Sequence, residues 1–462
     1  MIGLATLLAG CALSETTVPE SRVAIPAAFD QQSSLGVPIS ADVLDHWWTV
    51  WRDQTLTGLV GEAMDVNIDI RIARSRVAEA RSLVIVGESA LYPTVAAMGG
   101  VWGGEADWRN RTLDALAPKL SSGVDAHLVG LGASWEPDIF GGRNDDAEAA
   151  RAVAVSVEEQ LSGARMIVAA DVAENYLEAR GLQRRLIVLD GGIAAVGQLL
   201  GYVQGRFDAG QALRYDVELV RERLETLRGK RPALASLLDM RLRRLAILCG
   251  RTPETAIAFS ASPGPFWLPP VPLGQMPVAV LERRPDVRAQ AALVRAQTAR
   301  LASVKTDMLP RFEIEFLGQD GHLHFAGVPG LSGTGGLLGL SVQLPIFTAG
   351  KIQANIDAND ARLEAAAAAY DKIVLLALED VENAYGVRYG LDRRDADLTR
   401  ALSIAERNVD MSRALYENGH KTLQDVLNAR LDVFERQDEL IQTQMGQATA
   451  TVQLYRALGG GW

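Results

Sequence analysis

The two halves of the chain carry the same residues in the same order. Asp69, Arg71 and Val77 return as Asp286, Arg288 and Val294, and Pro93 returns as Pro310, all 217 positions later. Pro137, Gly142, Glu174 and Asn175 return as Pro345, Gly350, Glu382 and Asn383 at an offset of 208. Gly210, Asp216 and Val217 return as Gly419, Asp425 and Val426 at 209. Internal repetition of this kind decides an architecture before any single residue does. The drop in offset falls between Pro93 and Pro137, so the first half carries the longer loop there.

The prolines say what each repeat is made of. None lies between Pro137 and Pro232 or between Pro345 and the C-terminus, whereas eight of the 18 fall between Pro253 and Pro285. A proline inside a helix costs about 3 kcal/mol, so long proline-free runs rich in Ala, Leu, Glu, Arg and Gln predict long helices. Leu423, Leu427, Leu431, Phe434, Ile441 and Met445 form one helical stripe. A helix of roughly 60 residues reaches about 90 Å, a length that suits a coiled-coil barrel or tunnel.

Short alternating strands sit between the helices. Phe312, Ile314 and Phe316 interleave with Glu313 and Glu315, and Leu338, Leu340, Val342 and Leu344 with Gly339, Ser341 and Gln343. Their counterparts are expected near Tyr92–Trp102 and His127–Trp135. Period-two alternation gives one apolar and one polar face, which suits a soluble half-buried hairpin or a membrane strand. Four strands are too few for a membrane barrel, which takes about eight, so a single chain leaves edges open or several chains share one barrel, and sharing is the expectation. No stretch of 18 or more apolar residues free of charge offers a spanning helix. Each half is therefore predicted to run helix, two strands, then a pair of long helices.

Met1–Gly10 are apolar or small and end in Leu8-Ala9-Gly10-Cys11. This resembles a signal peptide with a lipobox, which predicts acylation at Cys11 in the periplasm, although no Lys or Arg precedes the apolar stretch. Ala12 rather than Asp suits sorting to the outer membrane. The expected organisation is a leader at 1–10, a lipid-anchored tether at 11–45 and a first repeat at 46–250. A proline-rich linker at 251–280 and a second repeat at 281–462 follow.

Charge and inventory exclude other classes. A net charge of −11 argues against nucleic acid. Two cysteines make no disulfide framework, and Cys249 at a helix end reads as a small buried hydrophobe. His322-x-His324 offers metal-ligating side chains but is expected in an external loop, without a cysteine or carboxylate at ligand spacing. Gly333-Thr334-Gly335-Gly336 precedes a strand and so lacks the helix N-terminus of a phosphate loop. With no nucleophile–base pattern, neither an enzyme, a metal site nor a cofactor is expected.

Four motifs in order resemble the TolC-like outer-membrane factors, specifically the lipoprotein, nodulation-type branch of their multidrug channels. They are His46-Trp47-Trp48 with Trp51, Asp53, Leu56 and Leu59, then Glu282-Arg283-Arg284-Pro285-Asp286-Val287, Leu344-Pro345-Ile346-Phe347, and Gly350-Lys351. Each also has a purely structural role; Pro285 suits a first helical turn and Asp286 its dipole. The resemblance implies a mainly α, mixed fold with an α-helical barrel and four strands per chain in a shared trimeric β-barrel. It implies a homotrimer, a periplasmic adaptor, an inner-membrane pump of resistance–nodulation–division type, and contact with outer-membrane lipid. It also places an equatorial region in the proline-rich segment and the two chain ends.

By matching position, the resemblance puts adaptor-contacting turns at Gly210 and Gly419 and a pore carboxylate ring at Asp425. Asp216 is the first-half carboxylate, Tyr416 and Lys421 fall on groups that hold a gate closed, and a Lys421–Asp216 link is expected. Asn428 stands where some members carry a second ring acid. Thr422-Leu423-Gln424-Asp425 equally resembles a capping box, so Asp425 is read both ways. The implied function is a passive exit duct for small molecules; the alternative is a periplasmic coiled-coil scaffold or adaptor lipoprotein without a pore.

Overall fold

The computed structural model describes residues 16–30, 37–38, 41–105, 124–257, 267–325 and 329–461. Among them, the chain order is β1 (Val37–Pro38), α1 (Ala41–Asp45), a 3-10 turn (Trp47–Trp51), α2 (Gln54–Val66), α3 (Ile68–Ser89), β2 (Thr94–Gly104) and β3 (Val124–Trp135). Next come α4 (Gly142–Asp208), α5 (Arg214–Leu248), β4 (Pro272–Leu273), α6 (Pro277–Arg283) and α7 (Pro285–Lys305). The chain ends with β5 (Arg311–Phe325), β6 (Leu331–Gln343), α8 (Lys351–Glu417) and α9 (Leu423–Ala457). Helices α4 and α8 each hold 67 residues, and α5 and α9 each hold 35. Every one of these four helices begins and ends 209 positions from its counterpart.

The residues form two compact units that cut across the repeats. One gathers Val77–Ser156 and Gln290–Tyr370 with the described residues up to Ser21; the other holds Arg22–Arg76, Val157–Ala289 and Asp371–Trp462.

The first unit carries a four-stranded antiparallel sheet in the order β2-β3-β5-β6. The two hairpins meet at the β3–β5 ladder, where Ala133 faces Phe316 and Leu131 faces Gly318. One face of the sheet exposes Val129, Leu131, Phe316, Leu338, Leu340 and Val342, all large apolar side chains. Glu313, Glu315 and Gln343 project from the opposite face, as the pleat requires. The strands are longer than the alternation suggested because β5 runs on to Phe325. His322 and His324 are therefore strand residues rather than loop residues, and the glycines at 333–336 lie inside β6. Alternation fades where β5 and β6 turn polar or glycine-rich, yet the backbone ladder continues to Leu323–Leu331.

The second unit is organised around tryptophan. Trp47, Trp48 and Trp51 are buried in its core rather than lying on its outside. Trp47 stacks on Tyr455 of α9 at 5.6 Å and meets Trp48 and Trp51 edge-on at 5.8 and 5.6 Å, offset arrangements that suit ring quadrupoles. The chain end closes over it. A Cβ on Gly460 would lie 2.6 Å from the Leu44 carbonyl, and one on Gly461, at φ 88°, 2.5 Å from Trp47 Nε1. Only glycine fits so close an approach.

Arg284 is buried beside this core, donating to the Asp286 and Asp380 carboxylates at 2.7 and 3.0 Å and to the Ala457 carbonyl at 3.2 Å. Tyr176 and Tyr385, again 209 apart, donate to Asp53 at 2.6 Å and to the Pro272 carbonyl at 2.7 Å. Each thereby ties a long helix to a peripheral segment. Cys249 is free and buried, and burial pushes its thiol up to about 11.

Part of the expected tether is ordered. Phe29 is buried, the Asp30 amide donates to Glu382 at 2.7 Å, and β1 pairs in parallel with β4. The proline-rich stretch likewise holds β4 and the start of α6. Pro232 lies inside α5 rather than ending it. Packing of Val217, Val220, Leu224 and Leu227 into a buried cluster with α4 stabilises the helix against that penalty.

Candidate functional site

The two turns that join the long helices are repeat-related. Helix α4 ends at Asp208 and α8 at Glu417, and each turn is made by a glycine in the left-handed region, Gly210 at φ 71° and Gly419 at φ 75°. The bonding repeats as well. Gly210 N donates to Phe207 O at 2.9 Å and Gln211 N to Arg206 O at 2.8 Å; Gly419 N donates to Tyr416 O at 3.0 Å and His420 N to Leu415 O at 2.8 Å. These bonds satisfy the last carbonyls of each helix, and the glycines allow them without Cβ strain.

The helix starts that follow differ. At α9 the capping box is complete. Thr422 N donates to Asp425 Oδ2 at 2.9 Å, Asp425 N donates to Thr422 Oγ1 at 3.3 Å, and the Thr422 hydroxyl donates to the same carboxylate at 2.7 Å. Hydrogen bonds from the Thr422 hydroxyl and amide, helped by the Lys421 charge, hold the Asp425 carboxyl below the usual carboxylate range. At α5 the corresponding residue is Leu213, which has no side-chain acceptor. Only half the box forms there, with Leu213 N donating to Asp216 Oδ2 at 3.0 Å.

Tyr416 is engaged by Arg206, a residue the sequence reading passed over. Arg206 Nη1 donates to the Tyr416 hydroxyl, its guanidinium lies 5.7 Å from the Tyr416 ring centre, and Nη2 donates to Gln211 O at 3.3 Å. One arginine so ties both turns together. Two signals pointed to it: a basic residue in the last turn of α4, and a break in the repeat, since Leu415 stands 209 positions on. Within the chain, Asp216 is occupied by its own helix start, and the Lys421 charge acts on Asp425. Asn428 and Lys421 are exposed. Cys11 lies outside the described residues.

The turns rest on a buried cluster of Val196, Leu199, Val203, Val217, Val220, Leu224, Leu227 and Leu427. Long helices ending in polar turns and a sheet whose apolar face is exposed are the features of a membrane channel protein.

The chain belongs to the outer membrane efflux protein family, whose model matches residues 59–251 and 276–460. It is an outer-membrane efflux channel and, as this family is non-enzymatic, not an enzyme. The pyoverdine export outer membrane protein OpmQ of Pseudomonas aeruginosa is 26% identical over 461 residues, covering 99% of this chain and 96% of its own length. The solvent efflux pump outer membrane protein SrpC of Pseudomonas putida is 24% identical over 413 residues, 89% and 86% of the two chains. The cation efflux system protein CusC of Escherichia coli is 24% identical over 470 residues, 99% and 97%. Among solved structures, the outer-membrane channel OprN superposes with a TM-score of 0.86 at 25% identity over 97% of this chain and 99% of its own. A CusC structure matches in fold with a TM-score of 0.82 at 21% identity, over 96% and 98%.

Proposed function

We propose that three copies of this chain share one twelve-stranded barrel and form the exit duct of a three-part export system. The observation that carries this reading is the open sheet. In the order β2-β3-β5-β6, the outer strands β2 and β6 each lack a partner on one side among the described residues. An unpaired strand edge is not tolerated in hydrocarbon, and the smallest closed barrels need about eight strands. The exposed apolar face of the sheet is then the lipid-facing one.

The helices support self-association as well. An apolar 18-residue stretch of α4 leaves most of its residues unburied in the single chain. A cavity of about 1120 Å3 is open beside Ile167, Val387 and Met445, two of which are exposed apolar residues. Neighbouring copies would cover both.

In this reading Asp425 supplies a carboxylate ring on the three-fold axis, with Asn428 beside it and Asp216 as the first-repeat acid. Tyr416 and Lys421 hold the gate closed, Lys421 reaching Asp216 of a neighbouring copy. Gly210 and Gly419 make the turns that meet a periplasmic adaptor, and Cys11 carries the acyl anchor. An inner-membrane pump of resistance–nodulation–division type supplies the energy. The cargo is a small molecule, in keeping with the solvent, pyoverdine and cation exporters that the relatives' names describe. Selectivity then resides in the pump, because a passive duct makes few specific contacts.

Single-channel recording in planar bilayers tests this, with wild type beside Asp425→Ala. Small cation-selective openings blocked by divalent cations, with the block lost in the variant, are expected. A pore indifferent to the substitution would leave the duct and reduce Asp425 to a helix cap. Absence of conductance from folded protein would favour the pore-less scaffold.

A further inference from the structure

Only five histidines occur in 462 residues, and the sheet brings three of them to one place. His127 on β3 stands directly opposite His322 on β5, and Asp125 directly opposite His324. Residues two apart on a strand share a face, and directly opposed residues project to the same side of a sheet, so all four side chains share one face. The imidazole centres of His127 and His322 lie 5.4 Å apart, and those of His322 and His324 lie 6.3 Å apart.

Nearer the helices the same face turns apolar, through Val129, Leu131 and Phe316. The other acid on this face near the cluster, Asp320, is already engaged by the Thr334 hydroxyl at 2.8 Å. Asp125 is exposed beside the imidazoles. Three of the chain's five imidazoles thus stand together at the polar end of one face.

We propose that His127, His322 and His324, with Asp125 as a fourth donor, bind one divalent transition-metal ion of the Zn2+, Ni2+ or Cu2+ class. Three imidazoles and a carboxylate suit these ions and not Mg2+ or Ca2+, which take all-oxygen sets. Four donors also satisfy tetrahedral zinc. The rings lie within 23° and 13° of parallel, and no three donors among the described residues surround a common point as placed. Binding therefore turns the rings about their side-chain bonds, a motion of picoseconds to nanoseconds for exposed groups. Directly opposed Cβ atoms are about 5 Å apart, which lets two imidazoles reach one ion. The ion would bridge β3 and β5, the ladder that joins the hairpin of the first repeat to that of the second. It acts as a clip across that seam and stabilises the folded sheet by mass action.

The test uses tag-free, full-length channel in detergent, because a polyhistidine tag binds the same ions. ZnCl2 is titrated calorimetrically at pH 7.5, with heat-modifiable migration and single-channel conductance of the same preparation showing that fold and duct are intact. One Zn2+ per chain is expected. His127→Ala and His322→Ala should each weaken binding at least tenfold, and the milder His322→Gln should do the same if either alanine variant misfolds. The double variant His46→Ala/His420→Ala should bind as wild type does. Folded, conducting wild type that takes up no Zn2+ overturns the site and leaves the duct reading untouched. So does undiminished binding in folded His127 and His322 variants, or loss of binding in the His46/His420 double variant.

Discussion

The tryptophan core and the two helix-joining turns are both held by the long helices, but they are built for opposite ends of the stability range. In the core, Trp47, Tyr455 and Leu458 are fully or almost fully buried, and the chain end is locked by glycines that nothing larger could replace. At the turns, Gly210 and Gly419 meet nothing that a Cβ would touch, and the bonds are short-range caps plus the Arg206–Tyr416 contact. Regions with few buried apolar contacts open at low free energy while dense cores open only globally. A duct that opens at these turns, as proposed above, needs both. The difference teaches where the fold is kept and where it can give.

The largest effect should come from the core. Trp47→Ala removes a buried indole packed against three aromatic rings and should destabilise by about 3–5 kcal/mol. The thermal midpoint of the purified channel measures this, and a loss no larger than that of a turn substitution would erase the contrast. Gly419→Ala forces a Cβ into the left-handed region and should cost about 1–2 kcal/mol. Because the site is open, that loss should appear as local amide exchange at the α8–α9 turn with little change in the global midpoint.

Smaller still is the cap. Thr422→Ala should cost about 1 kcal/mol at the start of α9, whereas Leu213→Ala should change little, since Leu213 offers no acceptor. Equal effects at the two positions would mean that the caps do not distinguish the turns.

Two pH responses sharpen the same contrast. At the turn, Asp425 is held below the ordinary carboxylate range by Thr422. Its contribution is therefore present above that range and lost as the pH falls through it, and Asp425→Asn should flatten the response of local exchange. If three copies bring these acids together, mutual repulsion pushes the other way. A carboxylate titration by NMR should move upward on assembly if the ring forms and stay low if Asp425 only caps.

In the core, burial pushes Glu174 up to about 7 against the pull of Arg456 and a hydrogen bond from Gln453. Its protonated form fits the fold, so stability should be full below the ordinary glutamate range and decline as the pH rises through about 7. Glu174→Gln should remove that decline in the thermal midpoint; a midpoint that still falls over the same range would assign the decline to another group.

Much of this was legible in the residues because periodicity and repetition are local. The proline-free runs marked α4 and α8, the Gly210–Gly419 match marked the turns, and Thr422 with Asp425 spelled out a capping box. Some local signals misled. Glu174 and Asn175 align with Glu382 and Asn383 at an offset of 208, while the helices and the buried Tyr176–Tyr385 pair keep 209. Side-chain identity can slip by one position where backbone geometry does not.

What the sequence determined by itself was therefore the repeat, the presence of long helices and the alternating strands, each fixed by backbone propensity within a few residues of itself. Only the tertiary structure decided that Trp47 is core, that Arg206 reaches Tyr416, and that His127 stands opposite His322. Those pairings join residues far apart in the chain, and strand register and helix packing, not local preference, choose them.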